Sequence, residues 1–197
     1  MQIFFPREEG TETRTTILPE VAKKFIDLGI EVIVETQIGC KSHLSDEAYS
    51  SVGAIVSSDR ILSNSKADIV CRINKPNKEE IASLKKDSIH ISFLDPFNES
   101  DLVNEFAKSS ITSISMELVP RITRAQKMDA LSSQANLAGY SAVIEASNTL
   151  LKSFPMMMTA AGTISPSRVF VIGVGVAGLQ AIATAKRLGA RVEAFDT

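Results

Sequence analysis

Short apolar runs alternate with amphipathic segments over the first 116 residues. Runs rich in β-branched residues predict strands at residues 2–5, 31–35, 54–56, 68–73, 88–93 and 111–116. Apolar residues at helical spacing predict helices at residues 19–28, 45–51, 78–84 and 99–108. This alternation predicts an α/β fold in which helices cover a parallel sheet.

The pattern changes after Pro120, where a charged loop precedes a long helical segment at residues 132–152 that Pro155 ends. Residues 160–166 are rich in turn formers, and a strand, a helix and a strand follow at 168–172, 177–188 and 191–195. We therefore predict two Rossmann-like, doubly wound parallel-sheet domains in tandem. The N-terminal α/β domain is expected at residues 1–130, and a linking helix with the start of a nucleotide-binding domain at 131–197. Because a doubly wound domain needs more than two strands, we expect the second domain to be truncated.

Charge and cysteine content exclude several classes of function. Twenty-one basic and 23 acidic residues give a net charge of −2, which argues against a nucleic-acid partner. Cys40 and Cys71 form no CxxC pattern, so neither a metal site nor a disulfide framework is expected. The N-terminus lacks a secretory signal, and the most apolar segment, residues 169–183, is too short to span a bilayer. We expect a chain that reaches a membrane only through a partner.

The sequence GVGVAG at residues 173–178 follows an apolar strand and opens a helix. In a dinucleotide-binding turn, Gly173 would permit the tight bend, Gly175 the approach of a pyrophosphate, and Gly178 close contact between helix and strand. The amides of the first helical turn, including those of Val176 and Ala177, would face the phosphate oxygens. The spacing therefore predicts a dinucleotide site.

A carboxylate ends the next strand, because Asp196 follows Gly178 by 18 residues. A carboxylate there can accept hydrogen bonds from both hydroxyls of an adenosine ribose and would repel a 2′-phosphate. The expected cofactor is therefore NAD(H) rather than NADP(H). The alternative is a turn that serves only helix packing, with Asp196 at an exposed strand end.

A second polar segment, VPRITRAQKMDALSSQANLAGY at residues 119–140, contains no His or Cys. Together with MMMTAAGTISP (156–166) and GVGVAGLQAIATAKRLGA (173–190), it resembles the NAD(H)-binding components of the proton-translocating NAD(P) transhydrogenases, a family related to the alanine dehydrogenases. A weaker resemblance extends to REEGTETRTTILPE (7–20). The resemblance covers essentially the whole chain, which ends about halfway through the length typical of the family.

This resemblance implies that Arg121, Gln126 and Asp129 form the loop that holds the dihydronicotinamide ring, with Ser132 close by. It also implies direct hydride transfer from NADH to NADP+ bound on a partner component, a homodimer, and a membrane-spanning component that couples the transfer to proton translocation. The expected location is cytoplasmic, peripheral to the inner membrane through partner subunits.

The residue types in this loop suit that chemistry, because hydride transfer between two nicotinamides needs orientation and no protein acid or base. An Arg121–Asp129 ion pair could fix the loop, and Gln126 offers a donor and an acceptor to a carboxamide. In the alternative interpretation the ion pair is purely structural and Gln126 is solvated.

An alanine dehydrogenase-like oxidoreductase is the main competing hypothesis. By resemblance, those enzymes bind substrate with a lysine at the position of Asn74 and use a histidine at the position of Asp95. Amine–ketone chemistry needs such a cation and such a proton shuttle, so their absence argues against it. His90 lies on an alternating strand and is expected to be packed. A third hypothesis is an inactive fragment of the transhydrogenase alpha subunit.

Overall fold

In the computed structural model, which describes all residues from Met1 to Thr197, the chain divides into two units, Met1–Val119 and Pro120–Thr197. The domain limits predicted from the sequence, 1–130 and 131–197, stay a prediction. Each unit is described by itself below.

The first unit is built on a six-stranded sheet in which every neighbouring pair is parallel. Its strands are β1 (Gln2–Phe5), β2 (Glu31–Glu35), β3 (Ile55–Ser57), β4 (Ile69–Cys71), β5 (Ile89–Ser92) and β6 (Thr112–Ser115). The spatial order is β3-β2-β1-β4-β5-β6, so the direction of winding reverses between β1 and β4. In open α/β sheets, such a reversal leaves a crevice at the carboxyl ends of the strands.

Both faces of this sheet are covered, because successive side chains on a strand point to opposite faces. Ile3 and Phe5 belong to one core cluster, whereas Phe4 packs with Ile33 and Val70 in another. The covering helices are α1 (Pro19–Asp27), α2 (Asp46–Ser50), α3 (Arg60–Lys66), α4 (Lys78–Ser83) and α5 (Ser100–Lys108). The predicted α/β class is confirmed.

Local sequence explains most helix starts in this unit. Pro19 occupies the start of α1, where its missing N–H leaves no hydrogen bond unmade. Asn77 and Glu80 form a reciprocal capping box at α4. The sequence analysis missed α3, whose N-terminal amide at Leu62 donates to Asp59 at 2.9 Å. Its large apolar side chains, Ile61 and Leu62, are both exposed, so no buried stripe marked it.

The second unit begins with a 3-10 helix, Thr123–Met128, and the long helix α6 (Ala130–Thr149). An antiparallel hairpin follows, β7 (Met157–Thr159) and β8 (Gly162–Ile164), where the sequence predicted only turns. Strand β9 (Arg168–Ile172), helix α7 (Val176–Arg187) and strand β10 (Arg191–Phe195) then form a parallel β-α-β unit. The hairpin strands have three residues each, too few for an alternating pattern to be recognised.

No helix of the chain combines the length and the apolar composition needed to cross a membrane.

Candidate dinucleotide site

The glycine turn joins β9 to α7 and places each of its three glycines in a different environment. Gly173 has a positive φ of 90°, and its N–H donates to the Phe195 carbonyl at 2.9 Å, which ties the turn to β10. A Cβ on Gly178 would lie 1.8 Å from the Gly173 carbonyl oxygen. A Cβ on Gly175 would meet no heavy atom within 4 Å. Gly178 is therefore required by packing, whereas Gly175 leaves open space beside the backbone.

The N-terminus of α7 has no side chain to cap it. Gly175 is the N-cap residue and forms no side-chain cap hydrogen bond. The first amides of an α-helix have no partner within the helix and carry its positive dipole end. Val176, Ala177 and Gly178 therefore present a turn suited to an anion.

Asp196 lies beside this turn, at the end of β10. Its carboxylate accepts hydrogen bonds from the backbone N–H groups of Val174 and Thr197. These two bonds lower the pKa of Asp196, so the exposed carboxylate is ionised at neutral pH. The structure thus brings Asp196 to the glycine turn, as the sequence predicted.

The start of α6 is capped, in contrast to the start of α7. Asp129 accepts one hydrogen bond from the Ser132 N–H at 2.9 Å and another from the Ser132 hydroxyl at 2.6 Å. The bonds from Ser132 are the main cause of the lowered pKa of Asp129, and the charge of Arg121 contributes less. No ion pair joins Arg121 to Asp129 in the structure, where both carboxylate oxygens accept instead from Ser132.

The glycine turn and the polar segment line a common cavity of about 520 Å³. Arg121 and Ser132 contribute side chains to it, and Gly173, Gly175, Val176, Ala177 and Gly178 contribute the turn. A neighbouring cleft of about 580 Å³ is lined by Gln126 and Asp129, and Ser132 and Val176 border both spaces. The structure therefore gathers the sequence-predicted residues around the two helix N-termini.

Sequence analysis missed three residues that line the cavity at the glycine turn, Leu131, Ala135 and Ile172. Ala135 follows Ser132 by one helical turn, so helical spacing from Ser132 could have identified it. Ile172 is the last residue of β9 and is largely exposed, at 80%. Leu131 is apolar, so nothing in the sequence marked it as a residue of the site. The structure holds no group of three or more His, Cys, Asp or Glu side chains that could bind a metal ion.

Comparison with known proteins agrees with this arrangement. Residues 4–138 match the N-terminal domain of the alanine dehydrogenase/PNT family, and residues 142–197 match its C-terminal domain. The chain belongs to this family.

Among other family members, an NAD(P) transhydrogenase subunit alpha protein of Rhodospirillum rubrum is 48% identical over the whole chain. The chain spans about half of that relative, 53% of its length. The crystal structure of transhydrogenase from Sinorhizobium meliloti superposes with a TM-score of 0.94 at 43% identity, over 98% of this chain and 58% of that one. Alanine dehydrogenase of Halomonas elongata is 27% identical, again over the whole chain and 53% of the relative.

Two positions in the first unit bear on the competing alanine dehydrogenase hypothesis. The Asn74 side chain donates to the buried Glu8 carboxylate at 3.0 Å, where those enzymes are expected to have a lysine. Asp95, at the expected histidine position, accepts from the Asn98 side chain at 2.8 Å, and its N–H donates to Glu117. Neither position offers a cation or an imidazole to a substrate.

The buried histidine is also unsuited to that role. His90 is 1% exposed, its Nε2 lies 3.1 Å from the Ser92 hydroxyl, and its ring packs against Phe106. Burial, assisted by the charge of Arg72, lowers the pKa of His90 to about 3. His90 is packed in the core, as expected from its strand position.

Proposed function

We propose that this chain is the NAD(H)-binding component of a proton-translocating NAD(P) transhydrogenase. The observation that carries the proposal is the uncapped glycine turn at α7, which shares one cavity with Arg121 and Ser132. Similarity to relatives named as transhydrogenase alpha subunits supports the same assignment.

The residues present fit a dinucleotide. The open space at Gly175 would let a pyrophosphate approach the backbone, where the bare amides of Val176 and Ala177 would donate to it. Asp196, ionised beside the turn, would accept hydrogen bonds from the adenosine ribose and disfavour a 2′-phosphate. NAD(H) is therefore the expected cofactor.

The capped start of α6 would receive the nicotinamide end. Because the Ser132 hydroxyl donates its proton to Asp129, its oxygen remains free to accept from a ligand N–H. Gln126 lies exposed and forms no side-chain hydrogen bond within the chain, so its amide is available to a ligand or a partner. Arg121 supplies a positive charge to the adjoining cavity at the glycine turn, which Ser132 also lines. These groups would orient a carboxamide.

Orientation is the whole catalytic role that these residues can perform. When bound, the reduced coenzyme supplies the hydride, which passes to NADP+ held on a partner component. The cavity residues would fix the ring and exclude alternative poses, which is the contribution expected of positioning groups. The lack of a general acid or base among them is consistent with this role.

The proposal includes partners. We infer an NADP(H)-binding component, a membrane-spanning component that couples transfer to proton translocation, and a homodimer of this component. The protein would then lie in the cytoplasm, at the inner membrane. The word "subunit" in the names of relatives supports an assembly of several polypeptides.

Calorimetric titration tests the binding half of the proposal. We expect saturable binding of NADH and much weaker binding of NADPH to the folded protein. The absence of heat with NADH would count against the proposal. Alanine-dependent reduction of NAD+ by the full-length protein is not expected, and its detection would favour an amino-acid dehydrogenase.

Hydride transfer requires a second test, with the full-length protein combined with its NADP(H)-binding and membrane components. Gln126→Leu should slow the reduction of an NADP+ analogue by NADH. Arg124→Leu, a change in the same 3-10 helix outside the two cavities, serves as the matched control. Equal rates for wild type and Gln126→Leu would contradict the assigned role.

A further inference from the structure

The two long helices of the second unit meet at a glycine. Gly139 is buried in α6, and a Cβ built on it would lie 2.1 Å from the carbonyl oxygen of Ala177 and 2.9 Å from its carbonyl carbon. Both are backbone atoms of the first turn of α7, so no side-chain rotation could relieve the overlap. This approach of α7 to α6 is therefore possible only with glycine at position 139.

The contact lies close to the groups assigned to the cofactor. Ala177 belongs to the glycine turn, and Ser132 precedes Gly139 by seven residues, about two helical turns along the same face of α6. Ser132 and Val176 border both the cavity at the glycine turn and the neighbouring cleft. The distance from the Asp129–Ser132 cap to the bare amides of α7 thus depends on how closely the helices approach at Gly139.

We propose that Gly139 is a positioning residue of the dinucleotide site, which sets the separation between the α6 cap and the glycine turn. The inference rests on the proposed function, because it concerns the two ends of the same cofactor. Ordinary van der Waals contact begins at 3.4 Å, so a methyl group 2.1 Å from the Ala177 oxygen requires a shift of about 1.3 Å. A shift of this size moves one end of the site relative to the other.

The proposal predicts different effects on two ligands, ADP-ribose and NADH, which have the ADP-ribose group in common. ADP-ribose has the adenosine, the pyrophosphate and the second ribose, and needs the α7 turn and Asp196. NADH adds the dihydronicotinamide, which needs the α6 cap at its correct distance from that turn. A rigid displacement of α7 should therefore weaken NADH binding and leave ADP-ribose binding nearly intact.

The test is Gly139→Ala in the full-length protein, with both ligands titrated by calorimetry. Helix propensity alone favours alanine over glycine inside a helix, so a purely local view predicts no loss. We expect the affinity for NADH to fall by at least ~10-fold and that for ADP-ribose by less than ~3-fold, since a 1 Å misplacement strongly affects positioning.

Val143→Ala is the matched control for loosened packing. Val143 lies one turn after Gly139 on α6 and is buried in the cluster that contains Ala185 of α7. Its truncation should lower the melting temperature and leave the ratio of the two affinities unchanged. If Gly139 served packing alone, Gly139→Ala would likewise lower the melting temperature and leave the ratio of the two affinities unchanged.

Several outcomes overturn the proposal. Unchanged affinities in Gly139→Ala would reject it, and so would equal losses for both ligands. A Gly139→Ala protein that fails to fold while Val143→Ala folds would reject it too, since the glycine would then serve folding. If the wild-type protein is folded and does not bind NADH, the proposed function itself is rejected, and the inference with it.

Discussion

In the first unit, paired charged side chains occupy the carboxyl ends of the strands. In the second unit, the helix that follows strand β9 begins without a side-chain cap. In the first unit, Arg72 contacts Glu80 at 2.7 Å and Glu8 at 3.8 Å, and Arg60 contacts Glu80 and Glu35, each at 2.9 Å. In the second unit, the strand β9 ends in glycines whose helix has no side-chain cap. The comparison shows that an α/β topology alone does not make a nucleotide site.

The difference has an electrostatic basis. At the β1–β4 reversal, Arg72 pairs with Glu8 and Glu80, and Glu8 also accepts hydrogen bonds from the backbone N–H groups of Ile73 and Asn74. Side chains of the chain itself therefore occupy these polar groups. Burial alone would raise the pKa of Glu80, but Arg72 and the other donors lower it below its ordinary value. In the second unit, Asp196 bonds to the Val174 N–H, and the first turn of α7 has no side-chain cap, so the helix dipole remains available to a ligand.

The largest expected effect comes from breaking the charge network in the first unit. Arg72→Met would leave the buried Glu8 with no cation and the partly buried Glu80 with Arg60 alone. Removal of one partner of a buried pair destabilises by about 3–5 kcal/mol, and because Glu80 keeps Arg60 we expect a loss toward the lower end of that range. Urea denaturation measures the change. Lys23→Met, which removes an exposed pair with Asp27, should change stability by less than about 1 kcal/mol. Similar effects for the two variants would contradict the comparison.

The glycine turn offers the next largest effect, on binding. Gly178→Ala should lower both NADH affinity and thermal stability, because its Cβ would overlap the Gly173 carbonyl. Gly175→Ala places a methyl group in open space, and the φ of −70° suits alanine, so the fold should be kept or slightly stabilised.

NADH affinity should nevertheless fall by about 100-fold in Gly175→Ala, since the methyl group would occupy the approach of the pyrophosphate. Calorimetry and melting curves of the two variants separate packing from ligand contact. Normal NADH binding by Gly175→Ala would show that the turn serves only packing.

A smaller effect concerns pH and returns to the first unit. The pKa of His90 is about 3 in the folded chain and near 6.5 when unfolded. Below pH 6.5 the unfolded state therefore binds a proton that the folded state does not, and stability decreases as pH falls. The loss should be about 1–2 kcal/mol between pH 7 and pH 5.

His90→Gln should remove this contribution to the pH dependence, although it changes the packing against Phe106. Urea denaturation at several pH values measures the slope. An unchanged slope in the variant would assign the acid sensitivity to other groups. Glu80 adds to the acid sensitivity only at lower pH, because its pKa is lowered in the folded state.

Continuous apolar runs made the strands predictable. Strands at residues 31–35, 168–172 and 191–195 were predicted with the limits found in the structure. The first two contain the apolar runs VIV and VFVI, and in the third Val192 and Ala194 flank a polar residue. The helix α3 was missed because its stabilising groups are polar, with Asp59 as its cap and exposed apolar side chains. The apolar pattern therefore predicted these strands and missed a short helix whose start depends on a polar cap.

The sequence indicated which residues form the candidate site better than it indicated which of them contact one another. The spacing of Gly173, Gly175 and Gly178 indicated the turn, because a dinucleotide-binding turn uses its three glycines for the bend, for the approach of the pyrophosphate and for close helix–strand packing. The hydrogen bonds from Ser132 to Asp129 were not predicted, since they depend on where α6 begins, and charge alone suggested Arg121 as a partner. The contact between Gly139 and Ala177 depends on helix packing, which no local pattern encodes.

The smallest expected effect concerns the choice between the two coenzymes at Asp196. Asp196→Asn removes a negative charge beside the glycine turn and keeps a group that can accept the Val174 N–H. Repulsion of a 2′-phosphate should weaken, so we expect the ratio of NADH to NADPH affinity to fall by about 10-fold or less, because the site is exposed and screened. Glu193→Gln, an exposed charge change on the same strand, should leave the ratio unchanged. A constant ratio in Asp196→Asn would show that this carboxylate only fixes the turn through Val174 and Thr197, and that coenzyme choice is made elsewhere.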